Sequence, residues 1–257
     1  MQTFLRSQLH ALRLLLATAL PKHKNTNRLS GAAIAMARIL FFHGLESGCG
    51  GRKHRFLEEH YEDVVCVDMH MSLLNLRKRN GILRNVLVNA LFTAPWNLYA
   101  WSVQKSLAGC LQCQEEELAK TDASKGVLIG SSWGGAVATL AIAKGLWTGP
   151  TILIAPAYKL AVGKSQDPDF SISAIYSAIT HRVSTSQRII IVHGSEDETV
   201  PIADSREMAA AIGAEFLEIH GGDHRMRCLM EGENPQLISL IEEVQHPKSC
   251  DETAPKI

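Results

Sequence analysis

One serine in this chain is set between two glycines, at the end of an apolar run and the start of an alanine-rich one. Val127-Leu128-Ile129 leads into Gly130-Ser131-Ser132-Trp133-Gly134-Gly135, and a helical stretch follows through Lys144. A strand-to-helix turn that tight needs flanking positions with almost no side chain, and it lifts the central hydroxyl above the strand end at a helix N-terminus. The central residue is Ser132; Ser131 is off-centre and reads as part of the turn. A serine hydroxyl is a weak nucleophile near neutral pH and needs a base and an acid that orients the base. The ends of two later apolar runs supply candidates. Ile189-Ile190-Ile191-Val192 is followed by His193-Gly194-Ser195-Glu196-Asp197-Glu198-Thr199-Val200-Pro201, and Leu217-Glu218-Ile219 by His220-Gly221-Gly222-Asp223-His224. Asp197 is favoured as the acid and His224 as the base, with Glu196 left as an alternative acid. Asp223 is adjacent to His224 and poorly placed to orient its ring. His43 and His193 each precede a glycine at a strand end and read as structural loop histidines, His43 with the further option of lining the site. Such residues support nucleophilic attack on a carbonyl and acyl transfer.

Residues this far apart in sequence meet only if the fold gathers them. Six short, continuously apolar runs do so in principle: Ile39–Phe42, Val64–Val67, Val127–Gly130, Thr151–Ile154, Arg188–Val192 and Glu215–Ile219. Helical stretches lie between or after them at Arg52–Tyr61, Trp101–Lys120, Trp133–Leu146, Ser171–His181, Ala203–Ile212 and Pro235–Val244. Apolar strands alternating with helices predict an α/β fold with a doubly wound, mainly parallel sheet of about six strands, covered by helices on both faces. In such a sheet the carboxyl ends of the strands share one edge, which brings a serine, an acid and a histidine together. Residues 71–100 interrupt the alternation. There Leu83, Leu87 and Leu91 repeat at i, i+4 spacing, flanked by Ile82 and Val86. The stripe predicts a helix packed on the sheet, with a lid or a surface for acyl chains as the alternative.

Charge and composition narrow the classes further. The 257 residues carry 26 Lys and Arg against 26 Asp and Glu, so nothing in the balance points to nucleic acid. The neutrality conceals a basic leader: six cations and no acid precede Glu46, which leaves 20 cations against 26 acids in the rest. Residues 1–36 combine Arg6, Arg13, serines and threonines with Phe4, Leu5, Leu9 and Leu12 at helical spacing. That composition suits a mitochondrial or plastid targeting peptide, an ordinary N-terminal helix or a disordered extension; without targeting, the expectation is cytoplasmic. The apolar run from Leu14 to Leu20 is too short to span a bilayer. Residues 37–245 form the expected folded domain and 246–257 a frayed tail. Six cysteines do not make a disulfide framework, and Cys110-Leu-Gln-Cys113 has no second pair with which to bind zinc. No metal motif is present, and the glycines from Gly44 to Gly51 match no nucleotide-binding pattern.

From Ile39 to Val244 the chain resembles the α/β-hydrolase family, in particular small bacterial esterases with G-S-S-x-G-G and G-G-x-H, although its N-terminal part is shortened. Phe42-His43-Gly44-Leu45 is similar to the family's oxyanion loop, Gly130–Gly134 to its nucleophile elbow, His193–Pro201 to its acid loop and Gly221–His224 to its histidine loop. The resemblance implies Ser132 as nucleophile, His224 as general base and then acid, and Asp197 as the orienting carboxylate. It implies an oxyanion hole made by the backbone N–H groups of Leu45 and Trp133, and no cofactor. The reaction expected is hydrolysis of a small-molecule carboxylic ester or acyl thioester through an acyl-enzyme, with His43 and Trp133 as candidate substrate contacts. A peptidase or amidase using the same triad, and a silent binding protein on the same fold, are the alternatives.

Overall fold

The computed structural model describes residues 37–90, 98–163, 167, 169–182 and 187–245. The leader, the tail and residues 91–97 of the expected lid lie outside these. Six strands form one sheet: β1 (Arg38–Phe42), β2 (Val64–Val65), β3 (Gly126–Ser131), β4 (Thr151–Ile154), β5 (Ile189–Gly194) and β6 (Glu215–Ile219). Every neighbouring pair is parallel, in the order β2-β1-β3-β4-β5-β6. The chain leaves β1 for β2 on one side and returns to place β3 on the other. The resulting switch point opens a crevice between the carboxyl ends of β1 and β3.

Alternation along each strand divides the core in two. Leu40, Phe42, Leu128, Leu153 and Ile191 point to one face, where they meet helices α3 (Leu98–Lys120), α4 (Trp133–Ala143), α6 (Ile172–Arg182) and α7 (Ile202–Ile212). Ile39, Phe41, Val127, Ile129, Ile152 and Val192 point to the other, where α1 (Arg52–His60) and α8 (Gln236–Gln245) cover them. Coverage on both faces is why these strands read as unbroken apolar runs. Helix α4 is buried along its whole length, in keeping with a sequence apolar all round.

Three expectations need correction. The second strand is two residues long and not four. A short helix, α5 (Tyr158–Val162), follows β4 where the sequence suggested none. The third concerns α2 (Ile82–Asn89), whose main partner is α3, although Ile82 and Val86 of the stripe still join the core on that face of the sheet. Its buried residues are Ile82, Asn85 and Asn89, while Leu87, on the expected packing stripe, is 53% exposed. Asn85 Nδ2 donates to Ser106 Oγ at 2.7 Å and Asn89 Nδ2 to Ser102 Oγ at 3.2 Å, so side-chain hydrogen bonds line the seam.

Candidate active site

The turn between β3 and α4 is as tight as the glycines suggested. Ser132 has φ 55° and ψ −114°, a left-handed backbone that a residue with a Cβ adopts only when its surroundings hold it there. Its N–H donates to the Ile154 carbonyl at 2.8 Å, and its own carbonyl accepts from Ala136 and Ala157, both at 3.1 Å. A Cβ at Gly134 would lie 2.0 Å from the Phe42 carbonyl oxygen, and one at Gly130 would lie 2.8 Å from the Gly134 oxygen. The glycines are thus required by close backbone approach between β1 and the start of α4. The outcome is a serine raised at the carboxyl edge of the sheet.

That edge brings Ser132, His224 and Asp197 into one hydrogen-bonded chain. His224 Nε2 lies 2.9 Å from Ser132 Oγ, and His224 Nδ1 lies 2.7 Å from Asp197 Oδ2. A carboxylate only accepts, so Nδ1–H donates to it and Nε2 is left to accept from the serine hydroxyl. Asp197 Oδ1 accepts from the N–H groups of Thr199 at 2.8 Å and Val200 at 2.9 Å. Burial alone would raise its pKa, but the Val200, His224 and Thr199 donors together hold it below the usual carboxylate range. Glu196, the alternative acid, is exposed, and its backbone N–H donates to Gly222. The acid and histidine loops are laced together there: a Cβ on Gly194 would lie 2.1 Å from the Gly222 oxygen, and Gly221 N–H donates to Ser195 Oγ at 2.8 Å.

His193 does more than the sequence suggested. It is fully buried, its Nδ1 accepts from Ser205 Oγ at 2.7 Å, and its Nε2–H donates to the Val200 carbonyl at 3.0 Å. The same Nε2 is 3.1 Å from Asp197 Oδ2, the oxygen that also meets His224 Nδ1, so this histidine braces Asp197 as well. Burial pushes its pKa down, which favours the neutral ring. The signal in the sequence was its place at the end of β5, four residues before Asp197; the contact itself is tertiary.

The first strand supplies the opposite wall. Gly44 lies against Ser132, since a Cβ there would be 3.6 Å from Ser132 Cβ. His43 is buried and does not line the cavity: Nδ1–H donates to the Gly44 carbonyl at 2.8 Å, and Nε2 accepts from Met69 N–H at 3.1 Å. It fixes the loop after β1 to the segment after β2. Burial lowers its pKa as well. Glu46, two residues after Gly44, accepts from Leu73 N–H at 2.6 Å and Ser72 Oγ at 3.1 Å, which anchors that loop on its other flank. The Trp133 side chain sits in the core, so neither His43 nor Trp133, the expected substrate contacts, lines the cavity. Trp133 N–H belongs to the first turn of α4, where N–H groups have no intrahelical acceptor. Leu45, Phe41 and Met230 form apolar wall around Ser132 and His224 in a cavity of about 550 Å³, the size of a small-ligand site.

Among the described residues, no group of three or more His, Cys, Asp or Glu side chains could hold a metal ion. Cys110 and Cys113 are free, and burial pushes the Cys110 thiol up to about 12. The close pair is instead Cys49 and Cys66, whose sulfurs lie 2.7 Å apart although 17 positions separate them in sequence.

No protein-family model and no curated protein sequence matches the chain. Solved structures do. A protein of Xanthomonas campestris pv. campestris assigned to the α/β superfamily of hydrolases is 21% identical, with a TM-score of 0.50, over 82% of this chain and 98% of that one. The ydeN gene product of B. subtilis is 14% identical, with a TM-score of 0.50, over 81% of this chain and 98% of that one. A Thermus thermophilus protein is 15% identical, with a TM-score of 0.52, over 82% and 89% respectively. With the six-stranded parallel sheet, these likenesses define the class: the chain has the α/β-hydrolase fold.

Proposed function

We propose that this protein is a serine hydrolase that cleaves a carboxylic ester or thioester through an acyl-enzyme. The observation that carries the reading is the unbroken chain from Ser132 Oγ through His224 to a buried Asp197, opening on a cavity. Ser132 Oγ attacks the carbonyl carbon as its proton passes to His224 Nε2, and Asp197 stabilises the imidazolium through Nδ1–H. The carbonyl oxygen becomes an oxyanion held by the backbone N–H groups of Leu45 and Trp133. The bond to the alcohol or thiol breaks, and His224 returns the proton to that leaving group. Water, deprotonated by His224, then attacks the acyl-serine, and the carboxylic acid leaves as Ser132 regains its proton. Each proton taken is given back, so no cofactor enters the balance. His193, whose Nε2 lies 3.1 Å from Asp197 Oδ2, is a positioning residue in this scheme.

The test is covalent labelling by a fluorophosphonate, followed by turnover of 4-nitrophenyl esters. Wild type should label, and Ser132→Ala should lose labelling and at least about 10^4-fold in turnover with its circular dichroism spectrum intact. Labelling retained in Ser132→Ala, or none in folded wild type, would overturn the assignment.

A further inference from the structure

The cavity at Ser132 is ringed by positive charge in a chain whose 26 cations are matched by 26 acids. Arg52, Lys53, Arg225 and Arg227 all line it, and Glu46 is the one carboxylate among the lining residues. Glu46 is already engaged by Leu73 N–H and Ser72 Oγ. Two of the cations open α1, and two lie within three residues after His224 in sequence. Lys53 Nζ donates to the Arg225 carbonyl at 2.7 Å and so ties the two pairs together. Arg52 reaches Glu231 at 3.4 Å, through side chains that are both more than half exposed. The side chains of Arg225 and Arg227 make no ion pair among the described residues. By contrast, Arg188 is neutralised at close range by Glu215 and Glu243, and Arg38 by Glu117. Helix α1 adds to the imbalance, because its N-cap Gly51 offers no side-chain acceptor and its first turn holds no acid. Four cations gathered with fewer carboxylates close by repel one another, and an anion delivered by a ligand lowers that repulsion.

We propose that the substrate is an ester or thioester carrying an anionic group, phosphate or carboxylate, which lodges against Arg52, Arg225 and Arg227 while its carbonyl lies at Ser132. The proposal rests on the serine-hydrolase reading of the same site.

Two matched pairs test it on the full chain. Butyryl-coenzyme A against butyryl-N-acetylcysteamine varies the charge of the leaving group, and mono-4-nitrophenyl glutarate against 4-nitrophenyl butyrate varies the charge of the acyl part. The readout is the ratio of kcat/KM, anionic over neutral, from which the fraction of folded enzyme cancels. In wild type that ratio should exceed about tenfold in at least one pair, given charge-assisted contacts from arginine. A preference in the thioester pair identifies a phosphate-bearing leaving group; one in the ester pair identifies a carboxylate on the acyl side. The ratio should fall toward one in Arg225→Gln/Arg227→Gln and in Arg52→Gln, and also in about 0.5 M salt, which screens exposed charge. No preference in either pair, or one that survives these substitutions, overturns the proposal. If the serine labels and neutral esters turn over without charge preference, the anion site alone falls. If there is neither labelling nor turnover, the hydrolase reading falls and takes this inference with it.

Discussion

The sheet and the α2–α3 hairpin are stabilised in opposite ways. In the sheet, Leu40, Leu128, Ile129, Leu153 and Ile191 are almost wholly inaccessible and belong to the apolar clusters on its two covered faces. In the hairpin the buried seam is polar: Asn85 meets Ser106, Asn89 meets Ser102, and both serines also donate to backbone carbonyls one turn earlier. Asn80 extends the seam by donating to the Met69 carbonyl at 2.7 Å, and it occupies the space a side chain at Gly109 would need. The apolar residues Leu87, Val88, Tyr99 and Trp101 turn outward. An apolar stripe marks the buried face only when the other face cannot satisfy its own polar groups. Here small residues on α3 let α2 come close enough to pair every buried amide.

Leu128→Ala in β3 should show the largest effect, because it deletes packing on a face that cannot collapse. A loss of about 2–5 kcal/mol in unfolding free energy is expected from denaturant titration. A loss below about 1 kcal/mol would mean that the sheet interior is no more demanding than the hairpin.

Acid should separate the regions next. His43 and His193, both at the sheet edge, have pKa values lowered by burial, so the unfolded chain binds protons that the folded one refuses. Their contribution is fully present above the unfolded value of about 6.5 and is lost as pH falls below it. The slope is about 1.4 kcal/mol per pH unit for each histidine held neutral. His193→Gln should flatten the dependence of stability on pH between about 6.5 and 5 relative to wild type; an unchanged slope would show that His193 titrates freely. The Asn and Ser groups of the hairpin seam have nothing to titrate there.

This contrast also marks what the sequence could disclose. Ser132, Asp197 and His224 were legible because each sits in a short motif at the end of an apolar strand, and parallel topology carries strand ends to one edge. The central strands β1, β3, β4 and β5 were legible for the same reason, since burial on both faces leaves few polar residues to blur them. The His193 contact with Asp197, the tie from Glu46 to Leu73 and the ring of arginines join residues through space, and no local pattern encodes them. Helix α2 misled because its Asn residues look like a solvent face until Ser102 and Ser106 are known to lie opposite.

The seam itself gives a smaller effect. Asn85→Ala removes the donor to Ser106 and should cost about 1–3 kcal/mol, with Ser106→Ala costing less because Ser106 also bonds within its own helix. The double variant should fall short of the sum of the two by at least about 0.5 kcal/mol, the mark of a direct bond. Strict additivity would show that the two side chains act independently.

The smallest effect decides between the two readings of the hairpin. Were the stripe through Leu83 and Leu87 a core face, Leu87→Ser would lose a buried side chain and cost about 2–5 kcal/mol. With Leu87 half in solvent and its neighbour Val88 also exposed, the substitution removes little contact, and a change within about 0.5 kcal/mol is expected from thermal or denaturant unfolding. The same variant leaves the Asn85–Ser106 and Asn89–Ser102 bonds in place, so any large loss would have to come from contacts made by Leu87 itself. A near-zero result beside a costly Asn85→Ala would establish that Asn85 holds this helix and Leu87 does not.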